Sequence, residues 1–311
     1  MQAPGAAMDD VYRRQVRLLV SVLPEIAKEP VFALKGGTAI NLFYRDMPRL
    51  SVDIDLVYLP VEDRATSLRG IDAALDRIVD RIAKSGQSYR ARRIAGGGDN
   101  DTRIEVTDGR ARIKIETSPV LRGSVYPPIT RALADSVTDE FGFAEMQLLA
   151  FEDLYASKLH AALDRKHPRD LFDLKLLCEN EGLSDNLFLT FMVYVASSPR
   201  PMHELLAPPA ADLDRLYDSE FAGMTHEPIG KEDLRAVEDT LQADIRRRLT
   251  GDTAAFLLSL HDGAPDFDRI GRPQAAALPA VRWKRINLEA LKRNNPAKHA
   301  DQRRQLEQLL W

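Results

Sequence analysis

The hexapeptide Ser51-Val52-Asp53-Ile54-Asp55-Leu56 constrains this chain more than any other segment. Val52, Ile54 and Leu56 alternate with Ser51, Asp53 and Asp55, the period-two pattern of a β-strand whose faces meet different surroundings. The apolar residues belong to a core, so the two aspartates project side by side from the other face. Two carboxylates held that close repel unless a cation sits between them, and Mg²⁺ is the usual answer. The alternative is a solvent-facing edge strand with ordinary surface acids. The flanking Val, Ile and Leu favour a buried central strand, where unpaired acids would be costly.

The rest of the chain supplies a setting for this strand. Tyr12, Val16, Leu19, Leu23 and Ile26 predict an amphipathic helix over residues 9–28, kinked or split at Pro24. A short apolar run, Val31 to Leu34, is broken by Gly36-Gly37, after which Ala39, Ile40, Leu42 and Phe43 suit a helix. A charged helix is expected over residues 67–84. Gly96-Gly97-Gly98-Asp99-Asn100 reads as a mobile loop. Asp108-Gly109 reads as a two-residue hairpin turn, pairing Thr107 with Arg110, Val106 with Ala111, Glu105 with Arg112 and Ile104 with Ile113. Glu116 then falls on the charged face of the second strand. From Phe151 the texture is helical, with helices over 152–163 and 169–179 on either side of Pro168. The change of texture places a domain boundary near residues 135–145, giving a mixed N-terminal domain, 1–140, and a helical C-terminal domain, 141–311.

Composition narrows the class. The 311 residues suffice for two compact domains, and 44% hydrophobic with 29% charged content excludes collagen-like and wholly disordered chains. A single cysteine, Cys178, excludes an intrachain disulfide framework and a multi-cysteine zinc site, and fits a reducing compartment. No stretch approaches the roughly eighteen apolar residues that span a bilayer. The polar start, MQAPGAAMDD, lacks the basic-then-apolar order of a signal peptide, so a cytoplasmic protein with no membrane partner is expected. The net charge of −4 does not announce a nucleic-acid partner. Residues 281–304 run the other way, with eight basic residues against Glu289 and Asp301. There Trp283 lies among Arg282, Lys284 and Arg285. Such a segment suits tRNA, through phosphate contacts and stacking on an exposed base. It equally suits a solvated helix that pairs with the protein's own acids.

Two further motifs carry chemistry. Lys35-Gly36-Gly37-Thr38 joins an apolar strand to a helix, and two glycines let a ligand approach the backbone closely. By itself it is also an ordinary tight turn, and it is not a Walker A loop. Lys158 and Arg165 lie about two helical turns apart on one face, and Asp170 and Asp173 share a face of the next helix. Ordinary surface ion pairs account equally well for that pattern when it is taken alone. No His or Cys pair has metal-ligand spacing, and no serine sits in a nucleophile elbow.

The order of these motifs says more than each does apart. A strand, a Gly-Gly turn, a helix, an Asp-x-Asp strand and a later strand with a lone acid together resemble the nucleotidyltransferase superfold shared with DNA polymerase β and tRNA-modifying enzymes. More narrowly, residues 34–45 (LKGGTAINLFYR) and 49–56 (RLSVDIDL) resemble the AbiEii/AbiGii toxin family, which includes the MenT toxins of mycobacteria. Residues 151–158 (FEDLYASK) and the Arg165-x3-Arg169-Asp170-x2-Asp173-Leu174 pattern match that family's later motifs. The likeness covers roughly residues 30–180, with four separated motifs in the right order.

The resemblance implies an α+β fold: a polymerase β-like mixed-sheet core with a helical C-terminal domain. It implies a Mg²⁺-dependent transferase, the toxin half of a toxin–antitoxin pair, that moves a nucleoside monophosphate from an NTP. The acceptor it suggests is the 3′ end of tRNA, with translation blocked as the result. A protein acceptor, perhaps the cognate antitoxin, and a non-catalytic nucleotide- or RNA-binding protein are the competing readings. In this scheme Asp53 and Asp55 hold one or two Mg²⁺ ions, with Glu116 as third carboxylate or as an arginine-paired strand residue. Lys158 neutralises triphosphate charge with Arg165 as helper, and Asp170 orients Lys158 or meets the substrate. Asp173 is as readily structural, and Lys35 as readily exposed. Gly36, Gly37, Thr38 and Ser51 line the nucleotide. Gly36-Gly37 stands where much of the superfold has Gly-Ser, so Thr38 or Ser51 is left to supply the hydroxyl.

Overall fold

The computed structural model describes residues 4–95, 102–209 and 212–311. The loop expected at residues 96–100 lies outside them. The chain divides into two compact units, Met1–Gly123 with Pro127–Ala150, and Ser124–Tyr126 with Phe151–Trp311.

The first unit begins with helix α1 (Pro4–Ala27), strand β1 (Phe32–Lys35) and a short helix α2 (Gly36–Ala39) that passes into a π-helical turn, Ile40–Tyr44. Strand β2 (Asp53–Tyr58) and helix α3 (Arg64–Lys84) follow. Then come strands β3 (Arg90–Ile94), β4 (Arg103–Thr107), β5 (Arg112–Arg122) and β6 (Ile129–Ala132), helix α4 (Asp135–Phe141) and strand β7 (Glu145–Leu148). The sheet is mixed, in the order β3-β4-β5-β2-β1-β7-β6. Strand β2 is central, antiparallel to β1 and parallel to β5. Ile54 pairs with Ile115 and Ile104, and Val106 with Ile113, so these side chains share one face and are buried. Helices α1 and α3 cover the sheet, burying Leu19, Leu23 and Ile26 of α1 and Ile71, Leu75 and Ile78 of α3. The helix α3 starts where the Asp63 carboxylate accepts the Thr66 N–H at 3.0 Å.

Two local expectations need correction. The helix α1 is not split at Pro24. It ends three residues later, so the missing proline N–H falls in the last turn, where a lost bond matters least. The hairpin register is shifted by two residues: Thr107 faces Arg112, Val106 faces Ile113, Glu105 faces Lys114 and Arg103 faces Glu116. A two-residue shift preserves which side chains share a face, so the apolar pattern alone could not distinguish the registers. Asp108 decides between them. Its Oδ1 accepts the N–H groups of Arg110 (2.7 Å) and Ala111 (2.6 Å), which closes a four-residue loop in place of a two-residue turn.

The second unit is helical. Its helices are α5 (Phe151–Arg165), α6 (Pro168–Asn180), α7 (Asp185–Ser197), α8 (Met202–Leu206), α9 (Leu213–Glu220), α10 (Lys231–Arg248), α11 (Gly251–His261), α12 (Pro279–Asn294) and α13 (Pro296–Leu310). Pro168 is not merely a break; it occupies the first turn of α6, where its absent N–H costs nothing. Buried Asp153 on α5 ties residues 124–126 to this unit, accepting the N–H groups of Val125 (2.9 Å) and Tyr126 (2.8 Å) and the Tyr194 hydroxyl (3.0 Å). Among the described residues, no helix is long and apolar enough to cross a membrane.

Candidate functional site

In the first unit the sheet register sets the site. Asp55 on β2 lies opposite Lys35 of β1 on one side and Glu116 of β5 on the other, and Glu116 lies opposite Arg103 of β4. Paired residues share a face, so a row of alternating charge, Lys35, Asp55, Glu116, Arg103, crosses four strands. A second row, Asp53, Lys114, Glu105, Arg92, runs beside it. Both rows occupy the face opposite Ile54, Ile104 and Ile115. This revises one expectation: β2 is central, yet Asp53 is exposed and Asp55 half-buried, because the acid-bearing side is the open one. The burial cost expected of a central strand therefore does not fall on Asp53.

The Gly36-Gly37 turn packs against the same acids. Gly36 has φ +76°, a left-handed conformation, and a Cβ there would lie 2.4 Å from Asp55 Oδ2. A Cβ on Gly37 would lie 2.6 Å from Arg49 Nη2 and 2.8 Å from Ser51 Oγ. The glycines are therefore required by close approach. Thr38 Oγ1 donates to the Asp53 carbonyl at 2.6 Å and lies 3.1 Å from Ser51 Oγ, and Thr38 is fully buried. Its hydroxyl braces the start of β2, which leaves half-buried Ser51 as the more accessible hydroxyl. Asn41 Nδ2 donates to the Gly37 carbonyl at 2.9 Å, and the Ser51 N–H donates to the Tyr12 hydroxyl at 3.2 Å.

Sequence reasoning assigned no role to Arg49, which is buried beside Gly37 and Ser51 and donates to the Leu50 carbonyl at 2.8 Å. It opens the second quoted motif, and that position was the available signal.

Glu116 shows how the two sequence readings meet. It stands next to Asp55 in register, and its carboxylate is also engaged by Arg103 Nε at 3.1 Å. Among the described residues no group of three or more His, Cys, Asp or Glu side chains is arranged to hold a metal ion. Asp53 and Asp55 fit a hard divalent cation in donor type, being carboxylate oxygens adjacent on one strand face, with the Gly36 backbone packed close against Asp55.

In the second unit Lys158, Arg165, Asp170 and Asp173 come together. Lys158 Nζ donates to Asp170 Oδ1 at 2.8 Å and lies 2.9 Å from Asp173 Oδ2. Arg165 clamps Asp170 through Nε (2.6 Å) and Nη2 (3.0 Å). The side chains of Lys158, Asp170 and Asp173 are 6%, 1% and 0% exposed, whereas Arg165 is 59% exposed. These are not surface ion pairs, and Lys158 is not a lysine reaching out among small neighbours. Burial alone would raise the Asp170 pKa, but the Lys158 charge and the Arg165 hydrogen bonds hold it well below the usual carboxylate range. The α5–α6 connection includes Lys166 at φ +49°, whose Nζ binds Glu238 of α10 at 2.6 Å.

The basic tail is two helices, α12 and α13, and its charges differ in availability. Lys284, counted above among the RNA-facing residues, is 4% exposed and donates to the Arg200 carbonyl at 2.5 Å. Its i±4 neighbours Ala280 and Leu288 are buried, so it falls on the apolar stripe of α12. Arg303 pairs with Asp262 (2.9 Å) and Arg304 with Asp301 (2.6 Å). Arg282, Lys292, Arg293 and Lys298 are exposed, and Trp283 is 54% exposed.

Comparison with known proteins then adds to the geometry. The family described as "Nucleotidyl transferase AbiEii toxin, Type IV TA system" matches residues 17–284. No curated protein matches the chain. Among solved structures, MenT4, a nucleotidyltransferase toxin from Mycobacterium tuberculosis H37Rv, superposes with a TM-score of 0.58 at 16% identity. The match covers 93% of this chain and 99% of that one, a likeness of fold.

Proposed function

Because the chain belongs to the AbiEii family of nucleotidyltransferase toxins, we propose that it transfers a nucleoside monophosphate from an NTP to the 3′ end of tRNA and so blocks translation. The observation that carries this reading is the pair Asp53 and Asp55 on the open face of a central strand, with Gly36 packed against Asp55. In the reaction the acceptor hydroxyl attacks the α-phosphorus, a new P–O bond forms, and the α–β bridging bond breaks to release pyrophosphate.

Asp53 and Asp55 are the residues that would hold Mg²⁺, with Glu116 joining them as third carboxylate if Arg103 yields it. When bound, the ion supplies charge neutralisation and Lewis-acid polarisation at the phosphoryl group. Gly36 and Gly37 admit the triphosphate close to the backbone, Thr38 braces β2, and Ser51 offers a hydroxyl. Arg165 is the exposed cation of the helical cluster and is assigned to the triphosphate. Lys158 and Asp170 form the buried base that fixes Arg165 in place.

The acceptor RNA is assigned to α12, through Arg282, Lys292 and Arg293 with Trp283 as a stacking platform. A toxin of this type works beside a cognate antitoxin, and the action is assigned to the cytoplasm. Incubation with each α-labelled NTP, Mg²⁺, total tRNA and a protein extract tests the whole reading. Label in tRNA is the expected result; label confined to protein, or no incorporation with any NTP, would overturn it.

A further inference from the structure

A small enclosed cavity lies within the helical unit. Its volume is about 10 Å³, close to the minimum for a single water-sized occupant. Its lining comes from four helices: His203 of α8, His261 of α11, Lys284 and Leu288 of α12, and Gln302 and Leu306 of α13.

The polar groups at this cavity have unused hydrogen-bonding capacity. Lys284 brings three N–H donors and no acceptor, and its one hydrogen bond goes to the Arg200 carbonyl at 2.5 Å. No carboxylate lies within ion-pair distance of it among the described residues. The nearest acid acting on it, Glu204, is exposed. Gln302 is buried and makes no hydrogen bond among the described residues. His203 is 13% exposed and has only a 3.9 Å approach to Glu204. His261 is already committed: its Nε2 meets the His299 carbonyl at 3.0 Å, and His299 Nε2 meets the His261 carbonyl at 3.1 Å.

A buried ammonium without a counter-charge is expensive, and burial lowers the Lys284 pKa only to about 8, so the amine is still mostly charged at neutral pH. One water would offer a dipole where the site lacks a negative charge. A polyatomic anion such as phosphate does not fit so small a volume. We propose that this cavity is a site for a monatomic anion, chloride by size, held by the Lys284 ammonium with the Gln302 amide and the His203 ring beside it. The ion clamps α8, α11, α12 and α13 together. This role is independent of the transfer reaction.

The test uses the whole chain. Melting is followed while sodium chloride replaces sodium gluconate at constant ionic strength. A ligand at a hundredfold excess over its dissociation constant should raise the melting temperature by on the order of 5 °C. The rise should vanish in Lys284→Met, which keeps the aliphatic stem and removes the charge. Equal melting in both salts, or a chloride effect that survives in Lys284→Met, would overturn the proposal. If the variant does not fold, crystals of the unaltered protein grown in bromide decide. An anomalous peak in contact with Lys284 Nζ supports the site, and no peak there, with water alone in the cavity, refutes it.

Discussion

Lys158→Met isolates the buried charge cluster from every other feature of the molecule. Methionine keeps the unbranched apolar stem and removes the ammonium that lies between Asp170 and Asp173. All three side chains are nearly inaccessible, so water cannot replace the lost partner. Breaking a buried ion pair by removing one member costs about 3–5 kcal/mol. Arg165 still holds Asp170 through two hydrogen bonds, which puts the expectation at the lower end, about 3 kcal/mol. At roughly 2–4 °C per kcal/mol for a domain of this size, the melting temperature should fall by about 6–12 °C at pH 7.

The same variant carries a pH signature. Asp170 has a depressed native pKa, so its stabilisation is fully present above the unfolded carboxylate value near 3.9. It is lost as the pH falls through the native value. Without Lys158 the native pKa moves up toward the unfolded one, so the gap between the two proteins should narrow on acidification from pH 7 to pH 3. Calorimetric melting across that range reads both effects. A neutral-pH shift below about 2 °C, or a gap independent of pH, would show that the cluster is not the buried electrostatic unit described above.

Three other outcomes are expected. Gly36→Ala places a Cβ 2.4 Å from Asp55 Oδ2 at φ +76°, so it should cost about 1–2 kcal/mol in backbone strain and displace the carboxylate. An ångström of misplacement is worth on the order of a hundredfold in turnover, so near-normal nucleotide transfer by the folded variant would count against the site. Asp53→Ala and Asp55→Ala should each lower NMP incorporation by at least about a hundredfold while melting changes by little more than about 0.5 kcal/mol. Activity in either at the wild-type level would remove the proposed ion site. Reversing Arg282, Lys292 and Arg293 to Glu, with buried Lys284 left alone, should weaken tRNA binding and flatten its dependence on salt without altering NTP binding. An unchanged salt slope would place the acceptor elsewhere.

The sequence by itself determined the elements in which local pattern and packing agree. The alternation through residues 51–56 has one physical solution, a strand with its acids on one face, and β2 has that form. Tyr12, Val16, Leu19, Leu23 and Ile26 are buried along α1 as their spacing requires. The order of the motifs was enough to indicate the family and the mixed-sheet fold. Only the tertiary structure could decide quantities that depend on partners distant in sequence. The hairpin register turned on Asp108 capping its own loop, since a two-residue slip leaves the hydrophobic pattern unchanged. The packing of Gly36 against Asp55 depends on β1 pairing with β2, which no local spacing encodes. Charge is the clearest case. Lys158 and Lys284 both read as available cations in the sequence, but one is locked between two aspartates and the other faces a closed cavity. A side chain's charge is fixed by its identity, whereas its solvation and counter-charges come from segments that only folding brings together.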